Sequence, residues 1–253
     1  MYEKIPETQK GVYSAGIYLK MKEGWKTYWR IPGDSGVPPH FNWSGSSNIK
    51  NVEVLWPAPQ KFVDPYGISI GYDSEILFPA KIEPIDSSKP ILLNVTFDYG
   101  VCKDICVPEQ AKLNIKFDKH SITTRKDKQL IKQYMASVPK QVQFSDEKNA
   151  NQKLLPAINN ISAKLEGKTP HILIEALFRK GAKTADIFVE TSDNFYLAWP
   201  KQVGKSPAES KRELITYRID LKKNSNLNKL KGQNLIMTLV SEKTQSEVYW
   251  KVP

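Results

Sequence analysis

The chain has 253 residues, 40% of them hydrophobic and 25% charged, and 37 Lys and Arg against 27 Asp and Glu give a net charge of +10. That length suits one large domain or two ordinary ones, and that composition can bury a core, which excludes a disordered tail. The basic residues scatter over both halves without the interleaved aromatics of a nucleic-acid stripe, and no apolar run approaches the ~18 residues of a membrane span.

The sequence opens MYEKIPETQKGVY, without the basic, apolar and small-residue regions of a secretory signal. That start fits a cytosolic protein, and equally a mature exported fragment with Met1 added. Strict alternation follows. Tyr13, Ala15, Ile17, Leu19 and Met21 share one face of an extended run. The next segment, GWKTYWRIPGDSGVPPHFNW, is dense in aromatics, and Trp25, Tyr28, Trp29, Phe41 and Trp43 read as sandwich core and turn packing. Its Asp34–Ser35 pair has no partner histidine at a telling distance, so it does not read as a hydrolase site. Ile91, Leu93, Val95, Phe97 and Tyr99 alternate again, as do Leu113, Ile115 and Phe117. Short strands between Pro/Gly-rich turns predict a sandwich, not βαβ units.

The period changes to helical over residues 124–138, where Leu130, Ile131, Tyr134, Met135 and Val138 recur, with Thr124 as N-cap and Pro139 as stop. A polar linker precedes a second strand-rich region. Its predicted strands are ILIEA-type runs at 161–165, 171–177, 185–190, 195–199, 214–221, 234–240 and 247–252. The fold class expected is all-β: two immunoglobulin-like β-sandwiches joined by a short helix and linker. The domains fall at 1–120, 121–155 (helix and linker) and 156–253.

The segment DYGVCKDICVPEQ carries the chemistry. It lies between two alternating runs, so Cys102 and Cys106 belong at the tip or edge of a hairpin. A disulfide there can be reached by another protein's thiolate. Three intervening residues permit the bond if the chain turns. Lys103 favours a thiolate and Asp104 opposes it, so local charge chooses no direction. Three readings stand side by side: a redox pair, a structural staple, and a Cu(I) site on the two thiolates. A staple closing so short a loop would constrain the unfolded chain by roughly 2 kcal/mol, against about 4.7 for a 100-residue loop. His40, His120 and His171 have no metal-ligand spacing to one another. The thioredoxin signature C-x-x-C is not present.

WKTYWRIPGDSGVPP, WPAP, YGISIGYDSEILFP and DYGVCKDICVPE together resemble the periplasmic N-terminal domain of the thiol:disulfide interchange protein DsbD family, nearest its ScsB, suppressor-of-copper-sensitivity branch. The resemblance covers residues 10–120 well and the second half loosely. It implies an immunoglobulin-like domain with a redox cysteine pair at one end, here Cys102 and Cys106, with Cys106 the one that joins partners. It implies electrons arriving from a membrane-linked thioredoxin-like domain and leaving to periplasmic disulfide-containing or thioredoxin-like acceptors. A periplasmic location, an attached transmembrane domain and no dissociable cofactor are further implications. The family's cap loop, DEFYG in DsbD, matches VDPYG here, so Asp64, Pro65, Tyr66 and Gly67, with Tyr99, are the expected site walls. Pro65 stands where the family has its shielding phenylalanine, which leaves Tyr66 or Phe62 to take that part. The cysteine spacing also departs, with three residues between the pair where DsbD has five.

Overall fold

A computed structural model describes all residues except 1, 5–11, 35, 66, 118–123, 145–154, 194, 210, 223–226 and 243, and describes only the backbone of 2–4 and 143. The chain divides into two compact units, Met1–Val138 and Pro139–Pro253.

In the first unit the strands are β1 (Tyr2–Lys4), β2 (Tyr13–Lys20), β3 (Lys26–Gly33), β4 (His40–Asn42), β5 (Ile49–Val54), β6 (Gln60–Asp64), β7 (Gly67–Asp73), β8 (Glu75–Pro84), β9 (Ile91–Cys102) and β10 (Cys106–Phe117). One sheet runs β1-β2-β8-β5. The other runs β10-β9-β3-β7-β6, with β4 also on β9. The pleat puts alternate residues on opposite faces. The inward set of β9 (Ile91, Leu93, Val95, Phe97) is buried, with Ile91 and Leu93 clustered with Ala15 and Ile82 of the facing sheet. An aromatic cluster fills the centre: Phe41 stacks on Phe97 at 4.9 Å, and Phe78 meets Phe41, Trp56 and Tyr72 edge-on at 5.5–5.6 Å. The Tyr72 hydroxyl is fully buried and donates to the carbonyl of Pro57 at 2.8 Å, which binds the WPAP turn to the core.

Helix α1 (Arg125–Ala136) also belongs to this unit. Thr124 caps it by accepting from the Asp127 N–H, as its position before the periodic run predicts. The helix covers the outer face of the first sheet. Ile131 is fully buried, the Ser14 hydroxyl points to Met135 Sδ at 3.8 Å, and the Tyr134 hydroxyl reaches the Glu75 carbonyl at 3.4 Å. That cover explains why β8 is buried on both faces from Ile76 to Ala80, a continuous apolar run where a one-sided strand would alternate.

The second unit comprises β11 (Lys140–Gln143), β12 (Ala157–Lys164), β13 (His171–Arg179), β14 (Ala185–Thr191), β15 (Lys201–Ala208), β16 (Arg212–Asp220), β17 (Asn234–Ser241) and β18 (Gln245–Lys251). Its sheets run β11-β18-β17-β14, with β11 parallel to β18, and β12-β13-β16-β15. They share a core that includes Ile172, Ile174, Phe178, Ile219, Leu235, Met237 and Leu239. The all-β, immunoglobulin-like expectation holds. Two segments differ: 195–199 is not a strand, the missing partner of β16 being β15, and Lys140–Gln143, within the expected linker, forms β11. The Asp193 carboxylate accepts from the Phe195 N–H at 3.1 Å, turning the chain so that Leu197 drops into the core from a loop.

Because Phe97 joins the aromatic cluster to the cysteine-bearing strand, Phe97→Ala should cost the first unit about 3–5 kcal/mol. Urea unfolding of the full chain measures it. A loss under about 1 kcal/mol would show that the cluster is not what holds the two sheets together.

Candidate functional site

Strands β9 and β10 form one long hairpin whose register ends on Cys102 opposite Cys106. Their Cα atoms are 4.2 Å apart, and the two sulfurs are bonded. Residues 103–105 make the turn, closed by a Lys103 N–H donating to the Ile105 carbonyl at 3.2 Å. The inward set of β9 is odd-numbered, so Gly100 and Cys102 project from the opposite, outer face. The two cysteines differ in access. Cys102 is 2% exposed, whereas Cys106 is open to solvent beside Ile105, itself 69% exposed.

What covers Cys102 is Tyr28. On β3, Lys26 pairs with Cys102 and Thr27 with Val101, and Tyr28 pairs with Gly71 on the other side. The phenol of Tyr28 crosses the outer face and its hydroxyl lies 2.7 Å from Cys102 Sγ and 3.3 Å from Cys106 Sγ. The residue is 2% exposed. Burial, and secondarily the Asp64 charge, raise its pKa above the ordinary phenol value, so the hydroxyl keeps its proton and remains a donor.

The loop after β3 lies flat on this ring. At Gly36 (φ +145°) a Cβ would sit 2.3 Å from the Tyr28 ring, and at Gly100 one would sit 3.0 Å from Val37. Glycine is what lets the backbone come so close. The loop is tied down by Asp34, whose N–H donates to the Ile68 carbonyl and whose carboxylate accepts from the Ile68 N–H, each at 2.8 Å.

Lys26 organises the next part of the face. Its ammonium is 3.1 Å from the Asp64 carboxylate and 2.9 Å from the Ser69 hydroxyl, and it sits 5.4 Å from the centre of the Phe62 ring. The expected cap-loop residues are thus placed as follows. Asp64 is held by Lys26, Pro65 is exposed, and Gly67 lies against the Asp34 carboxylate. Tyr66 lies outside the described residues. Tyr99 is on the other face of β9, stacked on Phe97 at 4.5 Å, and does not meet the disulfide. Tyr28, which the sequence assigns to core packing, is the residue in contact with both sulfurs. Its signal was weak: only its alternation with the buried Thr27 and Trp29 sets it apart.

Among the described residues no group of three or more His, Cys, Asp and Glu could hold a metal ion. His40 lies 3.8 Å from the Asp98 carboxylate, His171 contacts the Thr169 carbonyl, and His120 is outside the described residues. No helix among the described residues is long and apolar enough to cross a membrane.

Residues 3–117 match the family model described as thiol:disulfide interchange protein DsbD, N-terminal, which bears out the resemblance over those residues. Nothing among curated protein sequences matches significantly. Among solved structures, the N-terminal periplasmic domain of ScsB from Proteus mirabilis is similar with a TM-score of 0.70 at 20% identity, covering 99% of this chain and 90% of that one. At that identity the likeness is one of fold, and it extends over both units. The family match over residues 3–117 and the bonded cysteine pair support a thiol–disulfide exchange domain in the first unit.

Packing at Gly36 gives a direct check on the cover of the disulfide. Gly36→Ala must move the Tyr28 ring or the loop, so it should destabilise the unit by about 1–3 kcal/mol and change the rate at which dithiothreitol reduces the disulfide. Unchanged stability and an unchanged rate would mean that the loop does not hold Tyr28 in place.

Proposed function

We propose that the Cys102–Cys106 pair of this DsbD-type domain relays electrons in the periplasm, taking them from a membrane-linked thioredoxin-like donor and passing them to disulfide-containing or thioredoxin-like proteins. The observation that carries the reading is the unequal access to the two sulfurs: Cys106 is exposed and Cys102 is 2% exposed. A donor thiolate attacks Cys106 Sγ in line with the S–S bond. A bond forms between the donor sulfur and Cys106, the Cys102–Cys106 bond breaks, and its electron pair goes to Cys102. The donor's second thiolate then attacks its own sulfur in the mixed disulfide. The donor leaves oxidised and both cysteines are reduced. The same steps in reverse order, with an acceptor disulfide, pass the two electrons on.

The short loop supports exchange over stapling. Opening a disulfide that spans three residues releases little unfolded-state entropy, and the sheets around it are held by the aromatic core and the β9–β10 ladder. Reduction should therefore leave the fold intact, and the potential should lie above the roughly −300 mV of structural disulfides.

Trapping tests the polarity. With Cys102→Ser, a thioredoxin whose second cysteine is replaced by serine and whose remaining cysteine is activated as a mixed disulfide with thionitrobenzoate should stay attached through Cys106, with thionitrobenzoate released as the leaving thiolate. With Cys106→Ser, adducts through the covered Cys102 should form much more slowly at neutral pH. Equal trapping would remove the polarity and keep the pair. Cooperative unfolding on reduction would return the disulfide to a structural role, and stoichiometric Cu(I) uptake without exchange would make the unit a copper-binding module.

A further inference from the structure

We infer that Tyr28 is a catalytic residue of this exchange, its hydroxyl donating a hydrogen bond to the thiolate that forms on Cys102 when a partner attacks Cys106. The inference rests on the exchange reading above and adds a residue to it.

A disulfide opens faster when the departing sulfur is a better leaving group. The departing sulfur here is buried, so water cannot solvate its new charge, and an unsolvated buried charge is costly. The groups around it narrow the choice of donor. Lys26 stands opposite Cys102 in the β3–β9 pairing, but its ammonium is directed to Asp64 and Ser69. The stem of Lys103 lies over Gly24 at the exposed turn. The Tyr28 hydroxyl is 2.7 Å from Cys102 Sγ, with its ring fixed between the Gly36 backbone and Gly100.

The hydroxyl has one proton and two sulfurs within reach, and the shorter distance is to Cys102. Charge is therefore favoured on Cys102, which is the outcome of attack at Cys106. Attack at Cys102 would expel a sulfur 3.3 Å from the same hydroxyl. The phenol keeps its proton throughout, because burial raises its pKa. The step balances as one S–S bond formed and one broken, with the electron pair on Cys102 held by an O–H donor. When the disulfide re-forms, the same hydrogen bond weakens as the charge leaves.

Tyr28→Phe keeps the ring and removes the donor. In the Cys106→Ser chain, thiolate absorbance should report a Cys102 pKa higher by roughly one unit or more after Tyr28→Phe, since a hydrogen bond to a charged group is worth about a tenfold effect or greater. In the chain with both cysteines, the rate of reduction by dithiothreitol at neutral pH should fall about tenfold or more. A packing role alone would move neither reading while the fold is retained. If Tyr28→Phe does not fold, the wild-type protein carrying tyrosine labelled with carbon-13 at Cζ decides. After reduction the Tyr28 resonance should follow the Cys102 titration, and a resonance indifferent to it would overturn the inference. An unchanged Cys102 pKa and reduction rate in folded Tyr28→Phe would also overturn it, while leaving exchange itself standing. A wild-type disulfide that no thiol reduces would instead defeat the exchange reading, on which this inference depends.

Discussion

Strand β9 has to satisfy two faces at once, and the site follows from that constraint. Its pleat delivers Ile91, Leu93, Val95 and Phe97 to the core, which forces Gly100 and Cys102 to the other side of the same sheet. An outer face is ordinarily wet. Here it is made dry locally, because Tyr28 folds across it and the loop after β3 lies over Tyr28. Small residues make that possible. A side chain at Gly100 would push into Val37, and one at Gly36 into the phenol ring. The core decides which face the cysteines take, and the outer cover decides which of the two sulfurs is hidden.

Stability and reactivity are therefore separable in this unit. The aromatic cluster and the long β9–β10 ladder hold the sheets together, while the disulfide closes a loop too short to matter much to the unfolded chain. Breaking the S–S bond removes a contact at the end of a hairpin that is already fully paired along its length. A redox pair placed inside the core would lack that property, since each change of charge would fall on the packing itself. The ends of the site are fastened by charged and polar bonds: Asp34 to the Ile68 backbone, and Lys26 to Asp64 and Ser69. They hold the flanking loops at fixed places beside an exposed Cys106. The second unit is built differently. Its shared core is aliphatic with Phe178 and Tyr217, and it holds no cysteine.

Much of this was legible in the residues. Period-two alternation located β2, β9 and β10, the helical period with Thr124 located α1, and the spacing of Cys102 and Cys106 between two alternating runs placed the pair at a hairpin end. Two errors have a common physical origin. The FYLAW run at 195–199 has the composition of a strand, yet the Asp193 turn sends it into a loop whose Leu197 fills the core. Strand β15, KQVGKSPA, has no apolar alternation because it is an edge strand exposed along most of its length. Burial pattern reveals a strand only where burial is one-sided, and both segments break that condition.

By itself the sequence determined which side chains share a face, because the pleat and the helix impose fixed periods on any chain that adopts them. That was enough for the all-β class, for the helix and for two cysteines meeting across a turn. It could not determine what lies on top of a face. Tyr28 is 74 residues from Cys102, and Val37 is 63 residues from Gly100; no local rule links them. Their meeting depends on β3 pairing between β9 and β7, and on a loop returning over the outer side of that sheet. Such contacts are products of long-range pairing. Only the tertiary structure decided that one sulfur would be covered by a phenol and the other left open.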